Sequence, residues 1–147
     1  VYTTDASGLS STRAAAADPS KWLVLPEIIS KEPLGPLVRH GDHQWGDVVR
    51  WSLNAMIIAE ELGVSSENVD ASLSSNVPEV LRLLGVEGSY GEMLELAPDW
   101  AYQIIKQIGN YSESYEANVG PNTPLEIERG LNALWTNGGI LYVPPFR

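Results

Sequence analysis

The chain has 147 residues, of which 44% are apolar, and its nine basic and nineteen acidic residues give a formal net charge of −10. That charge argues against a nucleic-acid or anionic-membrane surface, because either partner would require a basic patch. The chain contains no cysteine, which excludes a disulfide framework and a cysteine-bound metal, and no apolar run approaches the roughly 18 residues of a membrane span.

The first thirty residues follow a strand–helix–strand order. Residues 1–4 are β-branched and aromatic and predict a short strand, and Asp5 follows it. Residues 6–17 predict a helix that ends at Asp18-Pro19, and residues 22–25 are consecutively apolar, as in a strand covered on both faces. This order indicates a parallel crossover unit, in which ligands meet the carboxyl ends of the strands.

A connection and a long helix come next. Residues 26–36 contain three prolines and one glycine, which suits a link between two packed units, and we place the boundary near residues 29–33. After a turn at residues 40–42, Asp42 is a candidate N-cap and Gly63 a stop for one helix. Its broad apolar face must pack on a sheet or on other helices; the face comprises Val48, Trp51, Ser52, Ala55, Met56, Ile58, Ala59 and Leu62, with Ile57 at its border.

Shorter helices are predicted after Leu62. We expect them at residues 65–74, 78–84 and 100–108, the last capped by Asp99 and stopped by Gly109, and then through Glu116, with a loop at 88–98. The sequence Thr123-Pro124-Leu125-Glu126 has the form of a capping box and predicts a helix to about Trp135.

Asp5 is the first candidate site residue. A carboxylate at the carboxyl end of a strand can receive a cationic group such as an ammonium, but aspartate is also a favoured helix N-cap for purely local reasons. The residues alone favour the cap.

Other polar and aromatic groups predict little chemistry. His40 and His43 flank Asp42 and could bind a metal or transfer protons, but they bracket a turn and lack a spacing that would place them on one helix face, so we favour solvated turn residues. The five tryptophans, at positions 22, 45, 51, 100 and 135, could form a stacking platform, but core packing is the favoured interpretation. No phosphate-binding loop or Ser/His/Asp grouping is visible.

Several stretches resemble periplasmic polar-amino-acid-binding proteins of ABC importers. Residues 1–5 with the following helix resemble the strand near the end of their second lobe, and residues 104–115 resemble their closing pattern, an amphipathic helix followed by Gly-x-Tyr and a second aromatic residue. The general L-amino-acid-binding subfamily is the most similar, through residues 24–36, 130–135 and 142–147. A helical insert at about 63–98 and an added piece from Pro121 also resemble that subfamily.

The resemblance implies an α/β fold: part of a two-lobed, type II periplasmic-binding-protein fold with extra C-terminal helices. Residues 1–30 would complete the second lobe, and residues 31–147 would form the hinge return and the C-terminal part of the first lobe. The resemblance also implies a periplasmic protein that has no catalytic activity and no cofactor. Such a protein traps free L-amino acids by hinge closure and delivers them to an ABC transporter permease.

The resemblance also implies roles for two residues. Asp5 matches the aspartate that receives the ligand's α-ammonium group, and Thr4 matches the adjacent position that often touches the ligand. The arginine and aromatic residues that complete such a site lie in the earlier half of these proteins, so we expect a fragment whose partner is a missing N-terminal half.

Two alternatives remain open. One is an enzyme on the same scaffold resembling cyclohexadienyl dehydratase, for which Glu32 and His40 are the nearby acid–base candidates. The other is a purely structural helical module in which Asp5 is only a cap.

Overall fold

The computed structural model describes residues 1–31 and 33–147. The chain forms two compact units: unit 1 comprises residues 1–36 and 115–129, and unit 2 comprises residues 37–114 and 130–147. The α-helices are α1 Ala6–Ala14, α2 His43–Glu61, α3 Val69–Ser72, α4 Pro78–Leu83, α5 Tyr90–Met93, α6 Trp100–Ile108 and α7 Tyr111–Asn118, and there are 3-10 turns at Pro19–Lys21, Gly130–Asn132 and Trp135–Asn137. None of the helices in this described part combines the length and apolarity that crossing a membrane requires.

Unit 1 contains α1 but not the two strands that the sequence predicts. Residues 1–4 and 22–25 have no strand assignment, and the described residues hold no β-pairing beyond an isolated bridge between Leu134 and Leu141. A strand exists only when a second backbone supplies its hydrogen-bond partners, and the described residues do not supply one here. Apolar side chains of these segments are correspondingly exposed, including Trp22 at 64% and Leu23 at 80%.

The helix predicted from Thr123 to about Trp135 is wrong. Thr123 Oγ1 donates to the Gly120 carbonyl at 2.8 Å and accepts from the Leu125 amide at 3.2 Å, which makes a local turn. Glu126 adopts a left-handed φ of +53° and forms an ion pair with Arg13 instead of returning to the cap. From Pro121 onward, the described residues contain two 3-10 helices and the isolated bridge, but no α-helix.

Unit 2 is built on α2, whose bounds confirm the predicted long helix. The Asp42 side chain accepts from the Trp45 amide at 3.2 Å, and Gly63 follows the helix with φ +69°. α2 packs against α6 and α4, so its apolar face lies on helices rather than on a sheet. Ile57, placed at the border of that face, is buried with its neighbours Ile58 and Ala59.

The remaining helices of unit 2 are partly as predicted. α4 and α6 occupy the expected segments, whereas α3 is much shorter than residues 65–74. α5 lies inside the segment expected to be a loop. A Cβ at Gly91 would stand 2.4 Å from the Ala97 carbonyl oxygen, so this short helix depends on close approach to a later stretch of chain.

The tryptophans divide between core and surface. Trp100 is 8% exposed and Trp51 is partly buried, and both contact Phe146, with ring centroids 6.1 and 5.2 Å away. Trp22, Trp45 and Trp135 are 50–64% exposed, so the prediction of core packing is wrong for these three in the structure described here. Phe146 itself is buried and closes the core from the end of the chain.

Candidate ligand-binding site

Asp5 lies at the N-terminus of α1 and caps it. Its backbone is extended, with φ −61° and ψ 156°, and its Oδ2 accepts from the Gly8 amide at 2.8 Å. The Ser7 hydroxyl donates to the same oxygen at 2.5 Å. The Thr4 hydroxyl donates to Oδ1 at 3.1 Å. The local capping role that the sequence favoured is therefore present.

The two oxygens of this carboxylate are not equivalent. A carboxylate oxygen has about two acceptor sites. Oδ2 has two donors, whereas Oδ1 receives only Thr4 Oγ1 from the residues that the structure describes. The Asp5 side chain is half-buried and Thr4 is exposed. Oδ1 and Thr4 Oγ1, 3.1 Å apart, can both accept from one cationic donor. Capping and ligand binding are thus compatible in one side chain.

Asp5 is held in its ionised form. The hydrogen bond from Ser7, followed by those from Gly8 and Thr4, lowers the pKa of Asp5 below its ordinary value of 3.8, and partial burial opposes them less strongly. These donors are all uncharged, and the positive end of the α1 dipole acts in the same direction. A carboxylate in this setting carries its full charge at neutral pH, as an ammonium partner requires.

Gly8 leaves space for this arrangement. A Cβ at position 8 would stand 2.9 Å from Thr4 Cγ2 and 3.1 Å from Asp5 Oδ1. Both atoms belong to the side chains that form the candidate site. Any side chain at this position must displace one of them.

Among the described residues, the two histidines predicted as site candidates do not assemble into a reactive centre. His40 and His43 are exposed, and the carboxylate between them caps α2. Nowhere in residues 1–31 and 33–147 do three histidine, cysteine, aspartate or glutamate side chains meet as a metal site would need. Glu32 lies outside the described residues.

Unit 2 holds a polar network that the sequence analysis missed. The Glu113 carboxylate accepts from the Ser66 amide and hydroxyl and from the Asn110 amide, and the buried Asn110 side chain donates to the Val64 carbonyl at 2.9 Å. The Asn-x-x-Glu spacing is a recognisable cap, but its link to Ser66 is tertiary. Every acceptor is used within unit 2, so the network is structural.

Pockets of the described residues lie in unit 2, and Asp5 does not line either of the two given below. One, of about 320 Å³, lies beside the end of α2 and is lined by Leu62, Gly63, Val64, Asn68, Ala71, Ser72, Ser75, Val77 and Val80. The other, of about 290 Å³, lies beside Phe146 and is mostly aromatic and aliphatic.

Several known proteins are similar to this chain. No family model matches the chain. It is 53% identical over 147 residues to the glutamate/glutamine/aspartate/asparagine-binding protein BztA of Rhodobacter capsulatus, covering 99% of this chain and 44% of BztA. It is also 53% identical over 149 residues to the general L-amino acid-binding periplasmic protein AapJ of Rhizobium johnstonii, covering 100% of this chain and 44% of AapJ. The chain is also 55% identical over 144 residues to YhdW of Escherichia coli K12, and the match covers 97% of this chain and 42% of YhdW.

A solved structure agrees with these identities. An ABC transporter periplasmic binding protein from Brucella ovis with glutathione bound has a TM-score of 0.95 and 50% identity, and the match covers 99% of this chain and 46% of that one. The chain is therefore a homologue of a portion of amino-acid-binding proteins of ABC transporters, as the sequence resemblance predicted. It spans less than half the length of the curated relatives it matches.

Proposed function

We propose that this chain is the C-terminal portion of a periplasmic protein that binds free L-amino acids and delivers them to an ABC transporter permease. The observation that carries the proposal is 53% identity, along the whole chain, to a protein described as a general L-amino acid-binding periplasmic protein. BztA, described as binding four amino acids, is equally identical. A protein of this class moves its ligand without transforming it and needs no cofactor.

Asp5 and Thr4 are the proposed ligand residues of this portion. Asp5 Oδ1 and Thr4 Oγ1 together accept from the α-ammonium group of the amino acid, and the carboxylate is ionised when the ligand arrives. A hydrogen bond to a charged group contributes about 1.5–3 kcal/mol, whereas micromolar affinity needs about −8 kcal/mol. The rest of the binding energy must come from other groups.

Those groups belong, in this proposal, to the N-terminal half of the same protein. Residues 1–4 and 22–25 become strands when its backbone pairs with them, which gives the α/β, two-lobed fold. Residues 1–30 then complete the second lobe, and residues 31–147 form the hinge return and part of the first lobe. Ligand contacts with both lobes stabilise the closed state.

The enzymatic alternative has less support. The relatives are described as binding proteins, and His40 is an exposed turn residue. A turnover assay of the full-length protein with prephenate and arogenate distinguishes the two, since a binding protein leaves both compounds unchanged.

Substitution of Asp5 by asparagine tests the proposal. Asparagine is as good an N-cap as aspartate, so Asp5→Asn keeps α1 capped while removing the charge that holds the ammonium. We expect L-glutamate and L-alanine to bind the full-length variant at least about tenfold more weakly by calorimetry, with little change in thermal melting. Asp18→Asn, which alters the cap of the Pro19–Lys21 turn in the same unit, is the matched control. Equal affinity of Asp5→Asn and wild type would refute the assigned site.

A further inference from the structure

The two carboxylate oxygens of Asp5 accept different numbers of hydrogen bonds. Oδ2 is occupied by the Ser7 hydroxyl at 2.5 Å and the Gly8 amide at 2.8 Å. Oδ1 has Thr4 as its one donor from the described residues. A carboxylate free to turn about its Cβ–Cγ bond would present either oxygen to a ligand. Here two donors on one oxygen fix the plane of the group.

We propose that Ser7 and Gly8 are positioning residues of the ammonium site: Ser7 holds Asp5 Oδ2 so that Oδ1 faces the ligand, and Gly8 leaves room for Thr4 beside it. This inference rests on the proposed function. Ser7 does not itself touch the amino acid. It acts through Asp5. Alanine at position 7 would favour the helix but could not donate the hydrogen bond to Asp5 Oδ2.

Gly8 contributes to the site because it lacks a side chain and so leaves space beside Thr4 and Asp5. A Cβ there would stand 2.9 Å from the Thr4 methyl carbon, closer than real Cβ atoms approach, and 3.1 Å from Asp5 Oδ1. Thr4 has a short side chain, so it can only swing away, which separates Thr4 Oγ1 from Oδ1. The paired acceptor for the ammonium is lost, although alanine is a better helix former than glycine.

The first experiment compares Ser7→Ala with Ser11→Ala in the full-length protein, titrated with L-glutamate by calorimetry. Ser11 is an exposed residue of the same helix, so the matched pair removes the same hydroxyl one turn apart. We expect Ser7→Ala to weaken binding by about tenfold, Ser11→Ala to leave it unchanged, and Ser7→Thr, which keeps the hydroxyl, to recover most of the affinity. Equal affinities of Ser7→Ala and Ser11→Ala would overturn the role of Ser7, as would equal losses in Ser7→Ala and Ser7→Thr.

A second readout separates positioning from helix stability. Because Ser7 is the largest contributor to the lowered pKa of Asp5, Ser7→Ala should move the Asp5 carboxyl titration, followed by carbon-13 NMR, upward toward pH 3.8. An unchanged titration would show that the Ser7 hydroxyl does not hold the Asp5 carboxylate, and such a result would overturn the inference.

Gly8→Ala is the second variant. We expect it to weaken L-glutamate binding by about tenfold or more while thermal melting changes little, because lost packing space is offset by helix propensity. Wild-type affinity in this variant would refute the role of Gly8. If Asp5→Asn loses binding but Ser7→Ala and Gly8→Ala do not, the positioning inference fails and the proposed ligand site stands; if Asp5→Asn retains binding, the site itself fails.

Discussion

The Glu113 carboxylate offers a sharp test of how the start of α7 is held beside Ser66. It accepts from the Asn110 amide at 2.7 Å, from the Ser66 amide at 3.1 Å and from the Ser66 hydroxyl. The Asn110 side-chain oxygen in turn accepts from the Glu113 amide at 3.0 Å, so each side chain accepts a hydrogen bond from the other residue's backbone amide. We expect Glu113→Ala to loosen the start of α7 and the turn at Ser66 together.

The size of the effect follows from the donors that are left behind. Truncation strands the amides of Ser66, which is half-buried, and of Asn110, which is buried, while the Ser66 hydroxyl can turn to water. An unsatisfied buried donor costs about 1–3 kcal/mol, so the unfolding free energy should fall by about 3 kcal/mol. In Glu113→Gln the side-chain oxygen still accepts from one of the two backbone amides, but the side-chain amino group is a donor and cannot accept from the other. About half of that loss is therefore expected.

The same contact predicts a pH dependence. Burial raises the pKa of Glu113, but the hydrogen bonds from Ser66 and Asn110 together lower it by more, to below its ordinary value of 4.5. The unfolded chain therefore binds this proton more readily than the folded one. The stabilisation is complete above pH 4.5 and is lost as the pH falls through the folded pKa, so the difference between wild type and Glu113→Gln should shrink there.

Urea unfolding followed by circular dichroism measures these differences at pH 7 and at pH values below 4.5. Glu116→Ala is the matched control, since Glu116 lies on the same helix and accepts no hydrogen bond within the part of the chain that the structure describes. A Glu113→Ala variant as stable as Glu116→Ala would show that the network contributes nothing and that the reasoning is wrong.

Two further predictions concern the packing of unit 2. Phe146→Ala should lower the unfolding free energy by about 3–5 kcal/mol in urea, because a buried ring that contacts three aromatic side chains is removed from the core; a loss no greater than that of the exposed Pro145→Ala would contradict this. Gly63→Ala and Gly85→Ala both place alanine at positive φ, which costs about 1–2 kcal/mol. Gly63 has open space, whereas a Cβ at Gly85 would lie 1.9 Å from the Pro98 carbonyl oxygen, so Gly85→Ala should be clearly the less stable variant in thermal melts. Equal melting temperatures would show that the Pro98 contact adds no strain.

Local chemistry suffices to place the two ends of α2. Asp42 and Gly63 mark the ends of α2 because a cap and a left-handed glycine act within one turn of the helix they bound. The same reasoning identified Asp5 as a cap, and the resemblance suggested its second task as an ammonium ligand. That task stays a prediction.

The failures share a different cause. Residues 123–126 have the residue types of a capping box. Glu126 nevertheless pairs with Arg13, 113 positions away, and its backbone adopts a positive φ instead of a helical one. Trp22, Trp45 and Trp135 carry apolar rings, but whether a ring is covered depends on what the chain brings to it. No window of a few residues contains that information.

The sequence by itself determined the long helix, the caps at Asp5 and Asp42 and the relationship to amino-acid-binding proteins, because these depend on residue types at short spacing or on matched stretches. Tertiary structure alone decided that Glu113 links α7 to Ser66, 47 positions away, and that residues 1–4 and 22–25 remain without strand partners in the described chain. Each of these depends on groups far apart in sequence, and hydrogen bonds and steric exclusion act only once folding has brought such groups within a few ångströms.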